Sequence, residues 1–178
     1  MLKDRHYILP KYVPKIIDSP SILFDEYNGV IFVKKLAQTK PNKLYKKVMV
    51  FFSIEKFGIK QLRVKIDEIK ELLIDHVIFV VDNKFTSHGH KLLNQHLKLE
   101  EEIFYFNEMM IDAVNHQLVP KHELLTLSET KKFLANIGSK IPCIKVNDRI
   151  CRHFNGKINQ IFRIYRANEL YYRIVVPS

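Results

Sequence analysis

The runs HQLVPKHELLTLSETKKFL, His116–Leu134, and CRHFNGKINQIFRIYRANELYYRIVV, Cys151–Val176, decide how the C-terminal third of the chain folds. Leu118 to Leu125 reads as a short strand or extended entry, rigidified by Pro120, whose ring fixes φ. Ser128 opens a helix through ETKKFLANI, which Gly138 can close as a φ > 0 residue. IPCIKV, Ile141–Val146, is extended. Asn155-Gly156-Lys157-Ile158-Asn159 is a turn. Ile161–Tyr165 and Tyr171–Val176 are two strands joined near Ala167-Asn168-Glu169. Short strands mixed with one helix predict a compact α+β domain over residues 115–178.

Upstream the pattern is different. VMVFFSI, Val48–Ile54, is β-branched and aromatic, as a buried strand requires. Ile59, Leu62, Ile66, Ile69 and Leu73 then recur at spacings of 3 and 4, which makes one apolar helix stripe with Lys60, Arg63, Glu68 and Lys70 off it. Val77–Val81 is a second continuous β run. Thr86 or Ser87 can cap a helix carrying Leu92, Leu93 and Leu97, and Glu102–Phe106 is a further strand. The order β-α-β-α-β predicts a small, largely parallel sheet with helices on its faces, in a domain over residues 1–114. Residues 1–46 hold Pro10, Pro14, Pro20 and Pro41, which break any long helix; a strand is expected within Tyr27–Leu36 after a turn at Asn28-Gly29, and a loop at Thr39–Lys43.

The chain has 178 residues and a formal net charge of +10. From His116 onward there are 11 Lys/Arg and 4 Asp/Glu, a balance of 11 − 4 = +7; the rest carries 18 − 15 = +3. That points to a polyanionic or acidic partner, although a basic surface also serves solubility. No apolar run is long enough to span a bilayer, and the N-terminus lacks the apolar stretch of a secretory signal, so no membrane association is expected. The two cysteines, Cys143 and Cys151, are too few for a disulfide framework; with His153 they lack paired zinc-ligand spacing. No P-loop, GxGxxG or nucleophile elbow occurs, so no catalytic residue, cofactor or metal is expected.

His116, Leu118, Val119, Pro120 and His122 form a His-x-Leu-Val-Pro-x-His box; Ser128-Glu129 and Ile141-Pro142-x-Ile144 follow, then Asp148, Arg152 and Phe154, then the two closing strands. In order and spacing this series resembles the assembly domain of the fifth subunit shared by the eukaryotic nuclear RNA polymerases, a family that includes its archaeal counterpart. Val50-Phe51-Phe52 with Gly58 and Lys60, and VIFVVDNKFTS, resemble that family's jaw domain, so the likeness covers roughly residues 46–178. DRHYIL, Asp4–Leu9, resembles the end of the family's first helix. Departures are Arg149 for a proline, His153 for a tyrosine, Asn155 and Asn159 for two turn glycines, and a shorter loop at Ala167–Glu169 lacking its proline. Asparagine tolerates left-handed backbone better than other non-glycine residues, so the turn can survive.

The resemblance implies a non-catalytic subunit, present once per hetero-oligomeric polymerase. The assembly domain would dock on the largest subunit through His116, Val119, Pro120, His122, Phe154 and the arginines Arg152, Arg163, Arg166 and Arg173, whose guanidinium groups suit carboxylates. Solvated strand arginines and a purely structural Pro120 are the plainer alternatives. The jaw domain would lie beside downstream duplex DNA, with Lys84, Thr86, Ser87 and His88 closest to it; such contacts position DNA without reading its sequence. Thr86 and Ser87 equally suit an ordinary helix cap. The implied location is the nucleus for a host protein, and the cytoplasm or virion for a large DNA virus with its own polymerase.

Two rival readings stand beside this one. A free-standing basic nucleic-acid-binding protein is compatible with the charge, but no helix-turn-helix, RRM pair or zinc pattern specifies it. A metal-dependent nuclease would need converging carboxylates, whereas Asp67, Glu68 and Lys70 fall on the outer side of an amphipathic helix. His88 and His90, two apart on a helix, do not share a face as metal ligands would.

Overall fold

The structure is a computed structural model that describes residues 1–2, 4–5, 7–8, 30–36, 45–53, 58–96, 99–137, 140–167 and 169–178, with the side chains of 8, 34–36 and 45 left out of that description. The expected turn at Asn28-Gly29, the loop at Thr39–Lys43, the helix position Leu97 and the cap at Gly138 lie outside the described residues. Two compact units are present: residues 6–111 with residue 2, and residues 112–178 with residues 1 and 3–5.

In the first unit a five-stranded sheet has the order β1-β2-β3-β4-β5, with β1 Tyr7–Ile8, β2 Val30–Leu36, β3 Tyr45–Ser53, β4 His76–Val81 and β5 Glu100–Tyr105. β3, β4 and β5 are parallel, linked through α1 Ile59–Glu71 and α2 Ser87–His96. β1–β2 and β2–β3 are antiparallel, so the sheet is mixed where a largely parallel one was expected. The stretch 37–44 is too short for a crossover, and only an antiparallel neighbour can be reached by so few residues. Tyr7–Ile8 pairs with Lys34–Lys35 as a strand, not the end of a helix; backbone just ahead of Pro10 is biased towards extended conformations.

β4 is buried at every position. Its odd-numbered residues Val77, Phe79 and Val81 meet Leu62, Ile66 and Ile69 of α1 and Leu92 and Leu93 of α2 in one core. α1 and α2 therefore cover the same face. Right-handed crossovers that advance along the sheet in one direction put successive helices on one side. The other face is buried as well, at Ile31, Val33, Val48, Val50, Ile78, Val80 and Phe104. There His76, 2% exposed, lies 3.1 Å from the Tyr7 hydroxyl through Nδ1; its Nε2 is 2.9 Å from Glu102 Oε1, out of hydrogen-bond alignment.

The apolar stripe on α1 is shorter than its spacing predicts. Leu62, Ile66 and Ile69 are buried, while Ile59 and Leu73 are exposed. Leu73 has left the helix: its φ is 50°, its N–H donates to Lys70 O and that of Ile74 donates to Ile69 O, the bonding of a left-handed helix terminus where glycine is usual.

In the second unit a four-stranded sheet has the order β6-β8-β9-β7: β6 Lys121–Leu124, β8 Ile161–Arg166, β9 Glu169–Val176 and β7 Cys143–Lys145. β7 runs parallel to β9; the other pairs are antiparallel. α3, Phe106–Met109, belongs to the first unit. α4, Leu127–Ile137, stacks Phe133 on Tyr172 with ring centroids 4.2 Å apart. α5, Arg149–Phe154, packs Ile150 and Cys151 on Phe162, Val175 and Ile144 on the opposite face. α4 begins one residue earlier than expected, with Thr126 as its cap instead of Ser128. Thr126 Oγ1 accepts from the Glu129 N–H, and Glu129 Oε2 accepts from the Thr126 N–H, which satisfies two orphan donors reciprocally. α5 was not legible in the sequence because six residues are too few to show a period. Asp148 caps it by accepting from the Ile150 N–H at 2.8 Å.

Asn155 and Asn159 both adopt positive φ, 55° and 70°, in place of turn glycines. Asn155 ends α5, which brings Gly156 so close to the core that an added Cβ would sit 2.8 Å from Cys151 Sγ and 3.1 Å from Phe162 Cε2. The Gly156→Ala substitution is expected to destabilise the protein by about 1–3 kcal/mol through overpacking, read as a lower denaturation midpoint at unchanged m. Leu73→Gly, relieving an exposed left-handed leucine, is expected to stabilise by about 1 kcal/mol in the same measurement.

Candidate docking and nucleic-acid interfaces

The segment after β4 is held by one buried ring. Phe85, 8% exposed, packs edge-on against Phe79 at 5.8 Å and against His90 at 5.9 Å. Around this anchor Lys84, Thr86, Ser87 and His88 all stand exposed. Thr86 Oγ1 accepts from the Gly89 N–H at 3.2 Å, so Thr86 is the cap of α2 and Ser87 its first residue. The four candidates therefore occupy one short stretch, with the free N–H groups of a helix start beside a lysine. Asp82, next to Asn83, places an opposing carboxylate at the same loop. The His90 ring packs edge-on against Phe85.

The carboxylates of α1 do not converge. Glu68 is paired with Lys65 at 2.6 Å, and Asp67 and Lys70 are exposed. Asp67 lines a groove with Arg63, Ile66, Leu92 and His96. Among the described residues no three His, Cys, Asp or Glu are grouped as a metal ion would require, and no helix is long and apolar enough to cross a membrane.

Four of the nine docking candidates of the second unit, His122, Arg163, Arg166 and Arg173, lie on strands and are sorted by strand alternation and register. Residues directly opposite one another share a face. On the α5 side lie His122, Ile164 and Tyr171 in one row, and Leu124, Phe162 and Arg173 in the next, with Arg166 beyond them towards the hairpin tip. On the α4 side lie Glu123, Arg163 and Tyr172 in one row, and Lys121, Tyr165 and Leu170 in the next. The sheet thus separates Arg163 from Arg166 and Arg173.

The two faces differ in what their arginines already hold. Arg163 Nη1 donates to Glu123 Oε2 at 3.2 Å, and the Tyr165 hydroxyl donates to the same oxygen at 2.6 Å. Tyr165, Tyr172 and Glu123 raise the Arg163 pKa above its ordinary value, against the effect of burial. On the α5 side Arg166 lies over the Tyr171 ring at 5.2 Å, and Tyr171 donates to Glu169 at 2.6 Å. Arg173 is half-buried and makes no hydrogen bond or ion pair among the described residues.

His122 is half-buried with its ring 6.2 Å from Phe162, and its Nδ1 donates to Pro120 O at 2.6 Å. Burial lowers its pKa, and Arg173 and Arg166 lower it further, against Pro120 O and Asp148. His116 is exposed and holds a turn: its Nδ1 accepts from Leu118 N–H, and its carbonyl accepts from Val119 N–H. Val119 and Phe154 pack partly buried on the core. Arg152 presents its carbonyl, with that of His153, to the buried guanidinium of Arg5, which neutralises the C-terminal end of α5. Arg5 was not singled out in the sequence, since nothing local relates it to a helix 147 residues away.

Cys143, Cys151 and His153 do not form a site. Cys143 is exposed on β7, Cys151 is buried with its thiol pushed up to about 11 by burial, and His153 Nε2 binds Asp4 Oδ2 at 2.8 Å. Three groups with three separate environments cannot share one ion.

The family model of the RNA polymerase Rpb5 C-terminal domain matches residues 111–176. The chain is 30% identical over 176 residues to DNA-directed RNA polymerases I, II, and III subunit rpabc1 of Dictyostelium discoideum, spanning 95% of this chain and 86% of that protein. Against subunit RPABC1 of Caenorhabditis elegans it is 30% identical over 139 residues, 72% of this chain and 66% of that protein. Against DNA-directed RNA polymerase subunit Rpo5 of Saccharolobus shibatae it is 40% identical over 68 residues, 36% of this chain and 81% of that protein. Similarity that extends over nearly all of the chain, together with the domain match over 111–176, leads to one assignment: the chain belongs to the Rpb5 family, the fifth subunit of DNA-directed RNA polymerases.

Proposed function

We propose that the chain acts as a non-catalytic subunit of a multisubunit DNA-dependent RNA polymerase, present once per complex. Residues 115–178 serve as the assembly domain and dock on the largest subunit. Residues 1–114 form a jaw whose Lys84–His88 stretch lies beside downstream duplex DNA. The observation that carries this reading is a coincidence of boundaries: the matched segment, 111–176, is nearly coextensive with a unit that has its own core and turns arginines and tyrosines outward. A non-catalytic role is supported by how the acidic side chains are used: Asp148 and Glu129 cap helices, Glu123 holds Arg163 and Glu68 holds Lys65. The work is that of a scaffold in the nucleus for a host polymerase, or in the cytoplasm or virion for a viral one.

The +7 balance of residues 116–178 fits a protein surface rich in carboxylates better than the DNA path, because the loop assigned to DNA lies in the less basic part of the chain. At that loop Lys84 would meet a phosphate as a point charge, and the first-turn N–H groups of α2 would add oriented donors. Asp82 would keep the contact weak, as suits DNA that must move past.

Lysine cross-linking of the full chain assembled with the largest subunit tests the docking half. Links are expected from Lys131, Lys145 and Lys157; links confined to Lys60 and Lys91 would reverse the assignment. For the DNA half, Lys84→Ala with Thr86→Gly is expected to lower the stability of the polymerase–DNA complex and to reduce its salt slope by about one phosphate contact. An unchanged slope with the complex otherwise intact would remove this loop from the DNA path.

A further inference from the structure

We infer that the α4 side of the second sheet is a protein-docking surface, and that it takes an apolar segment of the partner polymerase subunit edged with carboxylates. The inference rests on the assembly-domain reading above and deepens it, by giving the contact a face and a chemistry.

The two sides of this sheet are not finished alike. The strand residues of the unit's core, Ile144, Phe162, Ile164 and Val175, all point to the α5 side, where Ile150 and Cys151 close over them. On the α4 side the only buried strand residue is Ile161. Yet that is the side on which β9 is apolar: Leu170, Tyr172, Ile174 and Val176 make an unbroken row there, and none of the four is buried. A sheet face meant for water carries polar residues at alternate positions. This row has the pattern of a face meant to be covered, on a strand with neighbours on both sides. α4 covers it incompletely. Phe133 stacks on Tyr172, but both remain half-buried. Of the α4 stripe Leu127, Thr130, Leu134 and Ile137, only Thr130 is buried. Ile137 is 60% exposed and Leu170 54%. Polar groups are incompletely matched here too: Thr130 Oγ1 and Arg163 Nε are buried without a hydrogen-bond partner among the described residues.

The edges of the patch decide its occupant. Lys121, over the Tyr165 ring at 5.5 Å, and exposed Lys145, opposite Val176, put cations at two opposite corners. Glu123, the one carboxylate that the strands place on this side, already accepts from Arg163 and Tyr165. An apolar centre with a charged rim is the anatomy of a protein interface, and rim lysines call for carboxylates on the partner. A phosphate backbone makes no use of the β9 row. A second copy docked through the same face would bring its own lysines to a surface whose carboxylate is engaged.

The experiment compares full-length variants for retention by the co-expressed largest subunit, with each variant's thermal melt recorded. Leu170 and Ile137 are exposed, so the variant carrying L170D and I137S is expected to keep its melt. It is expected to bind about tenfold or more weakly, the effect of a charge set into an apolar contact. Y171S, one residue along and on the opposite side of β9, is expected to bind as the unsubstituted chain does. The variant carrying K121E and K145E is expected to lose about threefold to tenfold, and more at low salt than at high. A photo-cross-linking amino acid at position 170 is expected to capture the largest subunit, and one at position 171 is not; this readout decides if a substitution lowers the melt. Equal retention of L170D/I137S and the unsubstituted chain, or capture from position 171 alone, would overturn the inference while leaving the docking reading intact. Failure of the unsubstituted chain to be retained would overturn both. If L170D/I137S kept subunit binding but lost self-association of the chain, or lost binding to duplex DNA, the occupant would be a second copy or a nucleic acid, and the inference would be wrong.

Discussion

A strand buried on both faces tolerates no charge at any position along its length, and His76–Val81 is such a strand. Much of the first unit follows from satisfying it. Parallel neighbours on both sides supply its hydrogen bonds, and parallel neighbours can be reached only through crossovers. Those crossovers become α1 and α2. They lie on one side because the sheet advances in one direction through β3, β4 and β5, and the hand of the connection is fixed. The single polar residue of the strand, His76, sits at its start, between the Tyr7 hydroxyl and a Glu102 oxygen. The strand ends at Asp82, where the chain must turn out of the core, and the Phe85 ring returns to hold the exposed loop in place.

The second unit obeys the opposite rule. Its strands alternate, so each of its faces has a chemistry of its own. α5 covers the Phe162 row and α4 reaches over Tyr172, but neither helix extends to the hairpin tip. The tip is therefore where tyrosines and arginines are left exposed. Further down the ladder Glu123 stands opposite Arg163 and accepts from its Nη1, while Arg163 Nε is buried without a partner among the described residues; Phe162 stands opposite Arg173.

Backbone conformation at two helix ends shows how far a sequence can drift from glycine and keep its turn. Asn155 and Leu73 both take the left-handed position at a helix terminus. Asparagine does so at small cost because its side chain is short and polar; leucine does so with its side chain mostly in solvent, exposed by 72%. Gly156, the neighbour of Asn155, has no such freedom, since the space a side chain would need is filled by Cys151 and Phe162.

The elements with a strong local signature were legible in the sequence: the continuous apolar runs of β3 and β4, the three-and-four spacing of Leu62, Ile66 and Ile69, and the alternation around Phe162 and Ile164. The candidates Lys84–His88 were legible as one exposed group for the same reason, since a capped helix start after a buried strand is a local pattern. What was not legible depended on distance. The antiparallel β1 and β2, the placement of both helices on one face, the cap that Arg5 supplies to α5 and the separation of Arg163 from Arg166 and Arg173 all require knowing which backbone lies next to which. Local sequence states how each residue prefers to bend and whether it prefers water. Only the tertiary structure decides its neighbour across a ladder, because hydrogen bonds between strands are indifferent to the side chains that they bring together.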